Sequence, residues 1–226
     1  MAGRIAAITG AFGALGTAVS AAARQQGWSL ALIDAAPAPQ GGSSDALILG
    51  GVDLTDAGAA ARAVDQVVGR FGRLDALLNI AGGFAWTTLA DSAPGDWERL
   101  YRLNVVTCAN ACRAATAALT ASGSGRIVNV GALGADKAAA GMGPYAASKA
   151  GVHKLTEALA QELKGKVTVN AVLPSIIDTA QNRADMPKTD PALWVQPAEL
   201  AAVMLFLASE AASAVTGALV PVTGRV

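Results

Sequence analysis

Short runs that are apolar throughout alternate along this chain with longer amphipathic ones, and few architectures accept that order. Arg4 to Thr9 is followed by Ala14 to Gln26, Ser29 to Asp34 and Ala46 to Gly50 precede Thr55 to Phe71, and Leu74 to Asn79 leads into a helical stretch from about Asp96 to Ala121. Gly125 to Val130, a helix from about Pro144 to Leu163, Lys166 to Leu173, a helix after Pro197 and Ala218 to Val222 complete the pattern. A strand without a polar face must be buried on both faces, and strands separated by helices cross over in parallel. The order predicts a doubly wound α/β fold: a seven-stranded parallel sheet with helices on both faces. Right-handed crossovers then place a ligand at the carboxyl ends of the strands, where the strand order reverses. No change of composition divides the 226 residues, so residues 1–226 are expected to form a single domain.

Charge narrows the class of ligand. Seventeen basic and seventeen acidic side chains cancel, leaving no field to draw in nucleic acid or an anionic membrane. A small-molecule substrate in a pocket is the expectation. Ile5 to Ala23 carries no charge and approaches the length of a membrane span, but Gly10, Gly13 and Gly16 interrupt it and no basic segment of a signal peptide precedes it. Cys108 and Cys112 lie one helical turn apart, a poor geometry for a disulfide, and His153 is the only histidine to complete a metal shell. Packing in a reduced, cytoplasmic setting and no metal site are expected. The stretch 174–197 holds Pro174, Pro187, Pro191 and Pro197 with scattered charge and is long for a connection. Such loops cover sites, and a substrate lid is expected.

Thr9-Gly10-Ala11-Phe12-Gly13-Ala14-Leu15-Gly16 closes the first strand and opens the first helix. Glycines let the backbone approach a diphosphate, and the helix start offers unpaired N–H groups. This is the context of a Rossmann dinucleotide site. The second strand ends in Asp34, where a carboxylate accepts from the adenosine ribose. It would repel a 2′-phosphate, and Ala35 and Ala36 supply no arginine to hold one. NAD(H) is therefore expected over NADP.

Asp53-Leu54 ends the third strand and Asn79-Ile80-Ala81-Gly82 the fourth. In these segments, and on to Val215-Thr216-Gly217-Ala218, the chain resembles the short-chain dehydrogenase/reductase family. The resemblance implies adenine contacts at Asp53 and Leu54 and cofactor contacts at Asn79, Ala81 and Gly82. It also implies a nicotinamide clamp in Pro174 to Thr179, with Pro174, Ile177 and Thr179 as contacts; Ser175 stands where glycine is usual.

Tyr145 and Lys149 are four residues apart, on one face of a helix. A nearby ammonium favours the phenolate of a group whose ordinary pKa is about 10. The resemblance makes Tyr145 the acid/base, Lys149 its partner and a holder of the nicotinamide ribose, and Asn104 the helix residue that supports Lys149 through water. The catalytic set implied is Tyr145, Lys149 and Asn104. The family's serine, thirteen residues before the tyrosine, is Ala132 here. Losing one such donor costs on the order of 10²–10³ in rate.

One branch, the dihydropteridine reductases, is similar at the departures too: Ala14 within Gly10 to Gly16, Ala132, Ala81-Gly82-Gly83-Phe84, and Leu173-Pro174 with Asp178-Thr179 through Asn182-Arg183 to Met186-Pro187. Asn79 and Asn104 match ordinary dehydrogenases instead. The implied activity is hydride transfer between NAD(H) and a small carbonyl, alcohol or conjugated substrate. The alternatives are quinonoid dihydropteridine reduction, with Phe84, Trp86 and Trp194 as an aromatic box, and a non-catalytic dinucleotide-binding scaffold. Family members pair through the long helices, implying a homodimer or homotetramer.

Overall fold

The computed structural model of the protein describes residues 3–40 and 45–226. Seven strands form one sheet: β1 (Ile5–Thr9), β2 (Ser29–Ile33), β3 (Leu47–Leu49), β4 (Ala76–Asn79), β5 (Gly125–Val130), β6 (Val167–Pro174) and β7 (Leu219–Val222). All pair in parallel, in the order β3-β2-β1-β4-β5-β6-β7. Every residue of β1 and β4 is buried, which is why these central runs need no polar face.

The period of two divides their side chains between two cores. Ala7, Ala31, Leu77, Ile127 and Val169 face α2 (Ala57–Phe71), α4 (Thr107–Ala121) and α5 (Gly143–Glu162). Ala6, Ile8, Leu30, Leu78, Val128 and Val172 face α1 (Ala14–Gln25) and α7 (Pro197–Leu207). Helix α2 illustrates how sequence sets these elements. Asp56 accepts the Ala59 N–H at 2.8 Å at its start, a cap of the kind worth about 1 kcal/mol. Ala60, Ala63, Val64 and Val67 repeat at helical spacing on the buried side, and Gly72 ends the helix at φ +80°.

From β1 the chain runs outward to β3, then returns to β4 on the other side of β1. The two strand ends at this reversal are tied together: the Thr9 hydroxyl accepts the N–H groups of Ile80 and Ala81, both at 3.1 Å. The uncharged stretch from Ile5 is thus divided between a strand, a turn and a twelve-residue helix. Among the described residues no helix is long and apolar enough to cross a membrane.

The helix expected over Asp96 to Ala121 is one continuous run with a wider winding inside it: α3 (Pro94–Tyr101), a π-helical turn at Arg102–Val106, and α4. The stretch from Pro174 has structure of its own. It contains α6 (Ala180–Asp185) and a 3-10 turn at Pro191–Leu193, and its ends are bridged at Ile177 and Val195. The Val195 N–H donates to Ile176 O at 2.9 Å and the Asp178 N–H to Val195 O at 2.8 Å. Arg183 grips the Asp178 carboxylate with two bonds of 2.6 and 2.7 Å.

Candidate active site

At the carboxyl end of β1 the backbone makes the site. Gly10 has φ +63°, and a Cβ there would stand 2.8 Å from Ala81 N. A Cβ at Gly16 would meet Gly10 O at 2.2 Å, so α1 can pack against the turn only with glycine at that position. Gly13 has ordinary room, 3.6 Å to Gly10 O, and serves as the α1 N-cap without a side-chain bond. An uncapped helix start beside a cradle that a Cβ would fill suits the diphosphate of a dinucleotide. Phe12 is half-buried and Ala14 exposed, while Leu15 is buried in the core and can offer the cleft only its backbone.

Asp34 stands at the end of β2, where spacing put it. One carboxylate oxygen accepts the Phe12 N–H and the other the Ala36 N–H, both at 2.9 Å. Asp53 is exposed and accepts the Thr55 N–H at 2.8 Å. The Leu54 side chain is in the core, and its carbonyl accepts from Asn110 Nδ2 at 3.0 Å. Any contact of Leu54 with an adenine ring is therefore through the backbone.

The Asn79 side chain is buried and turned under the sheet, donating to Asn129 Oδ1 at 2.9 Å and Cys112 Sγ at 3.2 Å. It joins β4 to β5 and α4, so any contact of Asn79 with a cofactor is through the backbone. Cys108 and Cys112 are free and buried beside it. Gly82, three residues on, does lie in the cleft. A Cβ on it would fall 2.5 Å from Asn104 Oδ1 and 3.5 Å from Lys149 Nζ.

Asn104 sits in the π-helical turn, a wider winding often found at functional sites. Its amide accepts the Gly83 N–H at 2.9 Å and donates to Gly83 O at 3.0 Å and Ser148 Oγ at 2.9 Å. It therefore holds the loop after β4 onto α5, with no direct bond to Lys149.

Tyr145 and Lys149 share a face of α5. Lys149 is buried and donates from Nζ to Val130 O at 2.8 Å, at the end of β5. Burial pushes its pKa down to about 8, with Cys108 a small opposing influence. The Tyr145 ring meets the Phe84 ring edge-on, centroids 4.8 Å apart at 79°. Burial pushes the phenol up to about 12. The direction is opposite to the one the lysine spacing suggests: loss of water around the ring is its cause, and the Lys149 ammonium is turned to the Val130 carbonyl.

The expected aromatic box is divided. Phe84 and Trp86 are 55% and 61% exposed, and Trp86 Nε1 donates to Ala140 O at 3.0 Å. Trp194 is 0% exposed, so it is a core residue rather than a wall. Beyond β6, Pro174 is buried, Ile177 packs on the core and Thr179 caps α6 by accepting the Asn182 N–H at 3.1 Å. Ser175 uses the hydroxyl a glycine would lack, donating to Thr223 O at 2.7 Å. Sequence reasoning missed Ser148, Asp136 and the role of His153, which lie beside the site without belonging to any spacing that reveals them.

Comparison with known proteins gives the family. The short chain dehydrogenase profile matches residues 4–190. The chain is 30% identical to a D-threitol dehydrogenase of Mycolicibacterium smegmatis over 98% of its length and 92% of the relative's. It is 29% identical to an acetoacetyl-CoA reductase of Allochromatium vinosum over 98% and 97%. A carveol dehydrogenase of Mycobacterium avium in complex with NAD superposes with a TM-score of 0.85 at 27% identity, over 99% of this chain and 97% of that one. With its parallel sheet, its glycine turn and its paired tyrosine and lysine, the chain belongs to the short-chain dehydrogenase family of oxidoreductases.

Proposed function

We propose that the chain is an NAD(H)-dependent reductase or dehydrogenase of a small carbonyl or alcohol, with Tyr145 as acid/base and Lys149 as its charged partner. The observation that carries this is the approach of Lys149 and Asn104 on Gly82, with Tyr145 one helical turn from the lysine. Gly10, Phe12, Gly13, Ala14, Leu15 and Gly16 would hold the diphosphate through backbone N–H groups. Asp34 would take the adenosine ribose, and Asp53 and the Leu54 backbone the adenine. Ala81, Gly82, Tyr145 and Lys149 would border the nicotinamide ribose, and Pro174, Ile177 and Thr179 the carboxamide. Bound NAD(H) supplies or accepts the hydride.

The residues then divide the proton chemistry. A phenol with a pKa of about 12 is protonated near neutrality and serves as the acid toward a substrate oxygen. Lys149 keeps most of its positive charge there and favours the phenolate left behind. The Asp34 carboxylate supports NAD(H) over NADP(H), since a 2′-phosphate would face its charge. The stretch 174–197 is read as a substrate cover, a reading supported by its being anchored to itself beside the proposed nicotinamide contacts.

A second reading has its own support. Exposed Phe84 against Tyr145, with Trp86 close by in sequence and Ala132 offering a methyl group, suits a flat conjugated acceptor such as a quinonoid dihydropteridine. NADH and NADPH oxidation, measured with a carbonyl panel and with quinonoid dihydropterin, tests both. Simple ketones as best substrates reject the pterin reading, and faster turnover with NADPH rejects the cofactor preference. Ala132→Ser is expected to raise ketone reduction about tenfold or more, a part of the cost of one missing donor.

A further inference from the structure

The backbone that stands in place of the family's serine is held from behind by the chain's one histidine. His153, two turns beyond Tyr145 on α5, is 3% exposed. Its Nε2 accepts the Ala132 N–H at 3.3 Å, and its Nδ1 lies 3.4 Å from Asp136 Oδ1. A ring nitrogen that accepts an N–H carries no proton, so the proton is on Nδ1, facing the carboxylate. Asp136 thereby selects the tautomer able to hold Ala132. The fit is close, for a Cβ on Gly131 would fall 2.5 Å from Nε2.

The neighbouring bonds give this contact a consequence. Lys149 and His153, one turn apart on α5, grip residues 130 and 132 of the same strand end, one at a carbonyl and the other at an N–H. Between them the Gly131 N–H donates to Val172 O at 2.9 Å. The carbonyl that positions the Lys149 ammonium is therefore two residues from the group the imidazole holds.

Building on the dehydrogenase reading above, we propose that His153 is a positioning residue for the reaction: neutral and set by Asp136, it fixes Ala132 and through it the Val130 carbonyl that places Lys149, and protonation of its ring releases that strand end. A protonated ring turns a second donor toward the Ala132 N–H, and two donors cannot bond. The charges facing the ring are Asp136 from the turn after β5, and Lys149 and Glu157 from its own helix. Burial holds the ring's pKa below the ordinary 6.5, assisted by Lys149, while Asp136 and Glu157 oppose. Release therefore belongs to the acid side, away from Lys149 at about 8 and Tyr145 at about 12.

Two measurements on the full chain test this. In amide NMR from about pH 8 downward for as long as the chain stays folded, the Ala132 resonance is expected to titrate with the His153 ring, and Asp136→Asn to move both midpoints to lower pH by removing a charge that favours the imidazolium. An Ala132 amide that ignores the ring, or midpoints that Asp136→Asn leaves in place, overturns the proposal. In kcat/KM against pH for NADH-linked reduction, the acid limb is expected at the same midpoint. His153→Gln, whose amide oxygen can accept the N–H without titrating, is expected to keep turnover within about threefold and lose that limb, whereas His153→Leu lowers kcat about tenfold and raises the KM for NADH, since Lys149 also borders the nicotinamide ribose. An acid limb that survives His153→Gln overturns the proposal. Wild-type protein that turns over no substrate defeats the dehydrogenase reading instead, and the amide titration still decides whether His153 holds Ala132.

Discussion

The two sides of the cleft are made of different materials. Around β1 and β2 the site is backbone: a turn at Gly10 that needs positive φ, a close approach at Gly16, and N–H groups fixed by Asp34. Around β4 to β6 it is buried side chains, with Asn104, Ser148, Lys149 and His153 all taken out of water. The first kind of construction fails when a methyl group is added. The second is set by desolvation, so it should respond to single polar atoms and to pH.

The largest expected effect lies on the side-chain side. Tyr145→Phe should lower kcat by about 10²–10⁴, the range for removing a general acid, and leave the NADH dissociation constant, measured by fluorescence titration, nearly unchanged. Equal losses in both would erase the division between the two sides, an unchanged kcat would remove Tyr145 from the chemistry, and a wild type with no turnover to lose would favour a binding scaffold. Gly16→Ala is the converse. Its Cβ would stand 2.2 Å from Gly10 O and 2.7 Å from Ala11 Cα. A loss of about 1–3 kcal/mol in urea unfolding is expected from forced overlap, with weaker NADH binding but kcat retained at saturation. A variant that binds NADH normally would show that the turn has slack.

The smallest effect is a pH slope. Lys149 has a folded pKa of about 8 against 10.5 ordinarily. Between those values the unfolded chain binds more protons, so the cofactor-free protein should gain stability as pH rises from about 8 to 10.5. Below about 8 the cost of the buried charge is present in full. Wild type should gain on Lys149→Met by on the order of 1 kcal/mol between about pH 7.5 and pH 9.5 in urea midpoints. Parallel curves for the two proteins would mean that water reaches the ammonium.

The same contrast explains what was legible in the sequence. Apolar runs and glycine spacing report backbone requirements directly, so the parallel sheet, its strands and the position of Asp34 could be read from them. Asn79 could not be placed so. It falls within a motif, but strand parity sends its side chain below the sheet to Asn129 and Cys112. Leu15 and Leu54 are near the cleft in sequence and in the core in space. No periodicity marks the π-helical turn that carries Asn104, because one extra residue in a winding looks like ordinary helix. The phenol is a related case: sequence supplies the charged neighbour of Tyr145, but the burial that raises its pKa comes only from packing.

The segment between β6 and α7 leaves and rejoins the body at one place, where Ile177 bridges Val195. An excursion whose two ends are fastened to each other puts little mechanical load on the sheet beneath it. Its inner residues, from about Ala180 to Asp190, are thus a cassette that can be exchanged for a longer or shorter one while the fastening stays. Changes of length or sequence there would leave the sheet and both cores as they are.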